Sequence, residues 1–332
     1  MSRRLRVGLI SWAHVHSPGL ADALRSLDQV ELTGLYDEEP ERSHAAAAER
    51  GLALHEDLGS LLAASEAVVI GSTNADHRRY TEAAAGAGLH VLSEKPLATT
   101  VADGRAMVEA CRQAGVQLAT AFPVRESRAV LALRDAIRGG ALGRVLAIRG
   151  TNPGRYPGSW FGDRKLAGGG AVMDHTVHVA DLIRWLLGDE VVRVQAEVGS
   201  YLWGLDVDDC GIITMDLAGG AFASIDCSWS RPRTYPTWGT VTLHVVGERA
   251  TTDIDVFRQV LVRYDDSAGR VRHEPWGEDL NGRMIAGFVD AILAGRPVPI
   301  SGEDGLRALE VAIAAYRSSE LGRPVEIAEL RS

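Results

Sequence analysis

Short apolar runs alternate with longer helical patterns over the first 120 residues. Strand signals fall at 6–10, 30–36, 67–70, 89–92 and 116–120, with helical signals at 18–26, 41–50, 76–87 and 101–114 between them. Strands alternating with helices of this size predict βαβ units and a parallel sheet. The run Ala67-Val68-Val69-Ile70 lacks period-two alternation, as expected of a strand buried on both faces. Past residue 121 the pattern changes. Helices are predicted at 126–138 and 170–187, the second stopped by Gly188, and two amphipathic ones at 284–294 and 302–319. Strands are predicted from 145 to 151 and at 192–199, 211–217, 222–229, 240–246, 252–255 and 260–264, with Ala218-Gly219-Gly220 as a hairpin turn. The expected fold class is α/β: an N-terminal βαβ domain with a parallel sheet over 1–121, then an α+β domain over 122–332 with a large, mostly antiparallel sheet.

Composition narrows the field without naming an activity. The chain of 332 residues is 46% hydrophobic and 24% charged, ordinary for a globular protein and unlike a disordered, collagen-like or coiled-coil chain. Its net charge of −9 is spread without a basic run, which argues against nucleic acid as a partner. Cys111, Cys210 and Cys227 form no C-x-x-C pair, so neither a disulfide framework nor a cysteine metal site is expected. No apolar stretch approaches membrane-spanning length. Ser2-Arg3-Arg4-Leu5-Arg6 resembles a twin-arginine start, but the apolar run behind it is short, is broken by His14 and His16, and lacks a small-x-small cleavage site. The arginines are expected to flank a first strand in a cytoplasmic protein.

Candidate chemistry lies at the predicted strand ends. In the turn after the first strand, a G-x-G-x-x-G motif would occupy positions 11, 13 and 16, where this chain has Ser11, Ala13 and His16. Ser11 and Ala13 are small enough for a backbone to approach a pyrophosphate, and helix N-terminal amides bind anions whatever the side chains. Asp37 ends the second strand about 20 residues further on, where an acid grips an adenosine ribose and disfavours a 2′-phosphate. It could equally cap a turn with Glu38-Glu39-Pro40. Ser72, Thr73, Asn74 and His77 follow the third strand. After the fourth comes Glu94-Lys95-Pro96, with a lysine at a strand end stiffened by proline, a setting suited to a catalytic amine. In the second half, Gly168-Gly169-Gly170 precedes Asp174 and His178, which share one helix face and could form a proton relay; His175 points about 100° away.

With these motifs in the order Thr73-Asn74-x-x-His77, Glu94-Lys95-Pro96 and Gly-Gly-Gly-x-x-x-Asp174-x-x-x-His178, the chain resembles the Gfo/Idh/MocA oxidoreductases over nearly its whole length. Leu142-Gly143-Arg144-Val145 and Trp185-Leu186-Leu187-Gly188 also look like that family. The resemblance implies a Rossmann domain followed by an α+β domain with an open sheet, and a nicotinamide cofactor, which Asp37 makes NAD rather than NADP; the expected cofactor residues are Ser11, Trp12, Ala13, His14, Asp37, Ser72, Thr73, Asn74, His77, Glu94 and Lys95. It implies Lys95, Asp174 and His178 as catalytic residues, a sugar- or cyclitol-like polyol as substrate, and a homodimer or homotetramer built through the C-terminal sheet. Lys95 would bond the reacting hydroxyl and move its proton, His178 would act as acid or base, and Asp174 would support both.

Departures from the family pattern leave alternatives open. His14 and His16 could line the cleft, or pack and cap the first helix. Arg125, Tyr156, Trp160, Arg164 and His175 are candidate substrate contacts, because aromatic faces and arginine forks suit polyols and carboxylates. Arg231, Arg233, Tyr235 and Trp238 form a second such cluster. A redox-neutral enzyme with retained NAD and a non-catalytic NAD-binding protein share these features. A metal hydrolase built on His14-x-His16 does not fit, because the alternation stops near Thr120, short of eight βα units; no metal is expected.

Overall fold

The computed structural model describes residues 3–275 and 277–331. Of these, residues up to Pro123, with Pro157–Gly169 and Asn281–Glu310, form one compact unit; Val124–Tyr156, Gly170–Leu280 and the residues from Val311 form the other.

The first unit begins β1 (Leu5–Ile10), α1 (Ser17–Arg25), β2 (Val30–Tyr36), α2 (Pro40–Arg50), α3 (Leu58–Ala64) and β3 (Ala67–Ile70). It continues with α4 (His77–Gly86), β4 (His90–Ser93), α5 (Val101–Ala114) and β5 (Leu118–Thr120). The five strands form one parallel sheet in the order β2-β1-β3-β4-β5. Chain direction across the sheet reverses between β1 and β3, and ligands of such sheets sit outside the strand ends at that switch point. All four side chains of β3 are buried, as its unbroken apolar run requires. Helix ends follow local chemistry: Thr100 Oγ1 accepts the Asp103 N–H at 3.1 Å to start α5, and Gly115 ends it at φ +69°. Helix α3 was not expected. It is short and holds Gly59, yet Asp57 starts it by accepting the Ser60 N–H at 2.8 Å.

Beyond the first sheet come α6 (Arg128–Arg138), β6 (Val145–Pro153), α7 (Arg164–Ala167) and α8 (Ala171–Leu187), of which α7 belongs to the first unit. Next are β7 (Val191–Gly199), β8 (Cys210–Leu217), β9 (Phe222–Ser228), β10 (Thr242–Gly247) and β11 (Thr251–Asp255). The chain ends with β12 (Val260–Asp265), β13 (Arg270–Pro275), α9 (Leu280–Leu293), α10 (Gly302–Leu321) and β14 (Val325–Glu326). A seven-stranded sheet runs β11-β10-β6-β9-β8-β7-β14, antiparallel except for β6 with β9. Helix α8 is buried on nearly every side and packs on β6, β8 and β9, with Val172, Val179 and Ile183 in one core with Ile213, Ile225 and Leu243. The burial pattern of β8 alternates, so its other face stays open, with Ile212 exposed there. Among the described residues, strands β12 and β13 pair only with each other. Among the described residues no helix is long and apolar enough to cross a membrane.

Candidate active site

In the first unit the β1 turn takes the shape of a glycine turn without the glycines. Ser11 has φ +66°, a left-handed conformation that glycine adopts freely and serine at a cost of about 1–2 kcal/mol. Asp37 ties the turn down. Its Oδ2 accepts the Trp12 N–H at 2.6 Å and the Ser11 hydroxyl at 3.3 Å, and Ser11 Oγ accepts the Ala13 N–H at 3.3 Å. Asp37 Oδ1 also accepts the Glu39 N–H at 2.8 Å, so the turn-capping role left open by the sequence is present. The Arg42 fork closes on both oxygens at 2.8 and 2.7 Å and reaches Glu38 and Glu39 as well. Opposite, Gly71 keeps the β3 end bare: a Cβ there would lie 2.3 Å from Ser17 Oγ and 3.2 Å from Ser11 O.

The two histidines behave differently. His14 is wholly buried; its N–H donates to Gly71 O at 2.8 Å, and its ring packs edge-on against Phe161 at 5.4 Å. Burial pushes it well below the usual imidazole range, with Glu94 opposing, so it is neutral. Since His14 Nδ1 accepts the His16 N–H at 3.2 Å, its proton sits on Nε2. His16 is partly exposed, with Nδ1 3.1 Å from Glu94 Oε1. Burial opposes the charge on Glu94, but its surroundings, the His16 ring and the Lys95 ammonium among them, outweigh it and hold the carboxyl below its ordinary range. Donor atoms of His14, His16 and Glu94 lie within 4.8 Å of one another.

The Thr73-Asn74-x-x-His77 motif proves to be largely a brace. Ser72 and Thr73 bond locally, Thr73 Oγ1 donating to Asp76 Oδ2 at 2.7 Å. Asn74 Nδ2 donates to Ala167 O at 2.9 Å. His77, buried and pushed below the usual range by that burial, donates from Nδ1 to Pro96 O at 3.0 Å and so holds the segment that carries Lys95. Lys95 itself is 3% exposed, its N–H donating to Glu94 Oε2 at 3.1 Å. Trp160, a candidate substrate contact, is buried and donates from Nε1 to Ala13 O at 2.9 Å, so it backs the β1 turn. Arg164 is exposed on α7.

A dinucleotide needs bare backbone and unsatisfied polar atoms at the switch point, and both are present. Gly71 supplies the first. Asn74 Oδ1, His14 Nε2 and His77 Nε2 are buried with no hydrogen-bond partner, a costly state that a polar ligand relieves. The residues fit the group.

In the second unit Gly170 precedes α8, and a Cβ there would lie 1.7 Å from Asp208 O. Asp208 caps the helix, accepting the N–H groups of Gly170 at 2.8 Å and Val172 at 2.7 Å. The Tyr316 hydroxyl donates to Asp208 Oδ1 at 2.6 Å and accepts the Gly170 and Met173 N–H groups at 3.1 and 3.0 Å. This clamp fixes the first turn of α8, which bears Asp174. The Asp174 Oδ2 atom accepts Trp229 Nε1–H at 3.1 Å and lies 3.1 Å from His175 Nε2. His175 therefore does not point away from Asp174, as helical geometry alone suggested; its long ring turns back onto its neighbour. His178, one turn on, is half-buried. Tyr156 stacks near Trp229, ring centroids 5.0 Å apart. Arg125 is buried with its fork on Asp181, Nε to Oδ2 at 2.7 Å, and lies over the Trp185 ring. It is a core ion pair rather than an open hook. Arg231 lies over Tyr235 and bonds Thr240 Oγ1 at 2.9 Å. Trp229, Asp208 and Tyr316 carried no readable signal in the sequence, because each acts through a partner far along the chain.

Residues 5–122 match a family model described as an oxidoreductase family with an NAD-binding Rossmann fold, and residues 130–253 match the Gfo/Idh/MocA C-terminal domain. The 1,5-anhydro-D-fructose reductase of Ensifer adhaerens is 30% identical over 97% of this chain and 98% of its own. The myo-inositol 2-dehydrogenase of Thermotoga maritima is 29% identical over 80% of both chains. Among solved structures, GenD2 from gentamicin A biosynthesis, in complex with NAD, superposes with a TM-score of 0.90 at 26% identity, covering 98% of this chain and 97% of that one. Levoglucosan dehydrogenase, in complex with NADH and L-sorbose, gives 0.84 at 25% identity, covering 98% and 99%. Switch-point residues fit for a dinucleotide, the clamped aspartate helix and the two family-model matches lead to one statement: the chain belongs to the Gfo/Idh/MocA family of NAD-binding oxidoreductases.

Proposed function

We propose that the chain is an NAD-dependent dehydrogenase that interconverts a secondary alcohol and a ketone on a sugar, cyclitol or related derivative. The observation that carries the reading is a lysine almost wholly buried at the end of β4, braced from behind by His77. Bound NAD supplies a nicotinamide C4 that takes up or returns a hydride. The chain must then handle the proton on the reacting oxygen. Lys95 would hydrogen-bond that oxygen, help move its proton and stabilise negative charge as it develops. His178 would accept or return the proton, and Asp174, oriented by Trp229 and His175, would hold a substrate hydroxyl. Ser11 to His14, Asp37, Ser72 to Asn74 and Glu94 would line the cofactor, with Asp37 favouring NAD over NADP. Tyr156, His175 and exposed Arg164 remain substrate contacts in this proposal; Arg125 and Trp160 are left out, since their polar groups are committed to Asp181 and Ala13. The names of the relatives support the substrate class: they act on anhydrofructose and myo-inositol. The domain roles would follow the division at 121, cofactor before it and substrate after it. We extend the proposal to a cytoplasmic homodimer or homotetramer formed by the open sheet face around Ile212 and Phe222.

The test is a panel of polyols and aldoses offered to the NAD-loaded protein, followed by absorbance of the reduced nicotinamide. Stoichiometric reduction with some member supports net dehydrogenation. NAD that stays oxidised through many turnovers contradicts it and indicates a redox-neutral reaction.

A further inference from the structure

Between β7 and β8 the chain makes a turn that carries three large side chains into solvent: Tyr201, Leu202 and Trp203 are 81, 54 and 46% exposed. Single exposed apolar residues need no explanation, but three in succession do. Nor is the turn slack. Asp209 is buried, and its carboxylate accepts the N–H groups of Tyr201, Leu202 and Trp203 at 2.9, 2.6 and 3.0 Å. Trp203 is also held by its ring, Nε1 donating to Trp229 O at 2.8 Å. A half-exposed indole is thus fixed at both its backbone and its ring nitrogen.

Aromatic rings lead inward from it. Trp203 and Tyr156 lie with centroids 5.4 Å apart, Tyr156 and Trp229 5.0 Å apart, and Trp229 donates to the Asp174 carboxylate at 3.1 Å. These contacts link the half-exposed Trp203 through Tyr156 to Trp229, which is wholly buried against Asp174. We propose that Trp203, with Tyr156 beneath it, forms a secondary subsite for a second sugar ring or an aryl aglycone, so that the preferred substrate is a glycoside rather than a free monosaccharide or cyclitol. This rests on the reading of Asp174 as a substrate residue. The C–H face of a pyranose is apolar and lies flat on an indole, while its hydroxyls stay in water. A platform already rigid gives up little freedom on binding, which is the advantage of preorganisation. Continuity with Asp174 favours this occupant over a second copy of the chain, which would need no path to a carboxylate.

Binding is measured by calorimetry on the full chain saturated with NAD. Glucose, galactose and xylose are each offered as the methyl β-glycoside, the phenyl β-glycoside and a β-1,4-linked disaccharide with that sugar at its reducing end. At least one two-ring probe is expected to bind about tenfold more tightly than its methyl counterpart. Trp203→Ala should bring that ratio to within twofold of one, and Trp203→Phe should keep about a third of the advantage. Equal affinities for one-ring and two-ring probes in the wild type overturn the subsite alone. An intact ratio in Trp203→Ala overturns it too, and if that variant also dissociates the oligomer in light scattering, the turn is a contact between copies. Failure of every sugar to bind, with NAD still bound, overturns both the subsite and the sugar reading beneath it.

Discussion

Tyr316→Phe tests the clamp on α8 with the loss of one oxygen. The change removes the donor to Asp208 Oδ1 and the acceptor for the Met173 N–H, leaving ring packing intact. Losing a hydrogen bond to a charged group costs about 1.5–3 kcal/mol, and a buried N–H left unsatisfied costs about 1–3 kcal/mol. Relief is partial, because the Gly170 and Val172 N–H groups still reach Asp208. We expect a net loss of about 3 kcal/mol, which at about 2–4 °C per kcal/mol lowers Tm by about 6–12 °C. The loss should depend on pH. Burial, opposed by the Tyr316 bond and the two N–H groups, raises the Asp208 carboxyl above its ordinary range. A raised acid binds its proton more readily in the folded state, so its stabilising contribution is complete below the unfolded value and is lost as pH rises through the folded one. Without the hydroxyl the folded value climbs further. The deficit of the variant must therefore be larger at pH 8 than at pH 5. Thermal unfolding followed by near-ultraviolet circular dichroism at both values is the assay. A Tm change under about 2 °C, or a deficit that shrinks as pH rises, would refute the reasoning.

Other perturbations probe other parts of the account. Arg125→Met leaves Asp181 charged and buried and should cost about 3–5 kcal/mol in urea unfolding, while Arg125→Met with Asp181→Leu should recover most of it. Ser11→Val puts a β-branched residue at φ +66° and should destabilise more than Ser11→Gly, which trades relief of strain against the two bonds of Ser11 Oγ. Arg42→Ala leaves Asp37, Glu38 and Glu39 without their shared cation; NADP binding should weaken about tenfold and NAD less than about threefold by fluorescence titration, a difference set by the charge of the 2′-phosphate. Ile212→Glu with Phe222→Glu should reduce the mass seen by light scattering, if the open sheet face joins subunits.

The βαβ half was legible because parallel strands buried on both faces write unbroken apolar runs, as in β3. Helix α3 escaped because seven residues with a glycine make a weak period, although Asp57 marked its start. The return of 157–169 and 281–310 to the first unit was not legible, since it depends on packing between distant segments. At the site, Lys95 and Asp174 stood out by their motifs, but what supports them did not. His77 was read as a cofactor contact, and its Nδ1 also braces Pro96; Trp229 reaches Asp174 from 55 residues away. Pairs of that separation leave no local pattern. Asp37 was ambiguous for a physical reason: one carboxylate at a strand end serves equally as turn cap and ribose acceptor.

The central claim is that Lys95 moves the proton while the cofactor crevice binds without it. The most direct test is Lys95→Ala, titrated with NAD and then mixed with the best polyol of the panel while the reduced-nicotinamide absorbance is recorded. The account predicts NAD affinity within about threefold of wild type and a rate lower by about 10²-fold or more, the contribution of a positioned proton-transfer group. Turnover near the wild-type rate would contradict it.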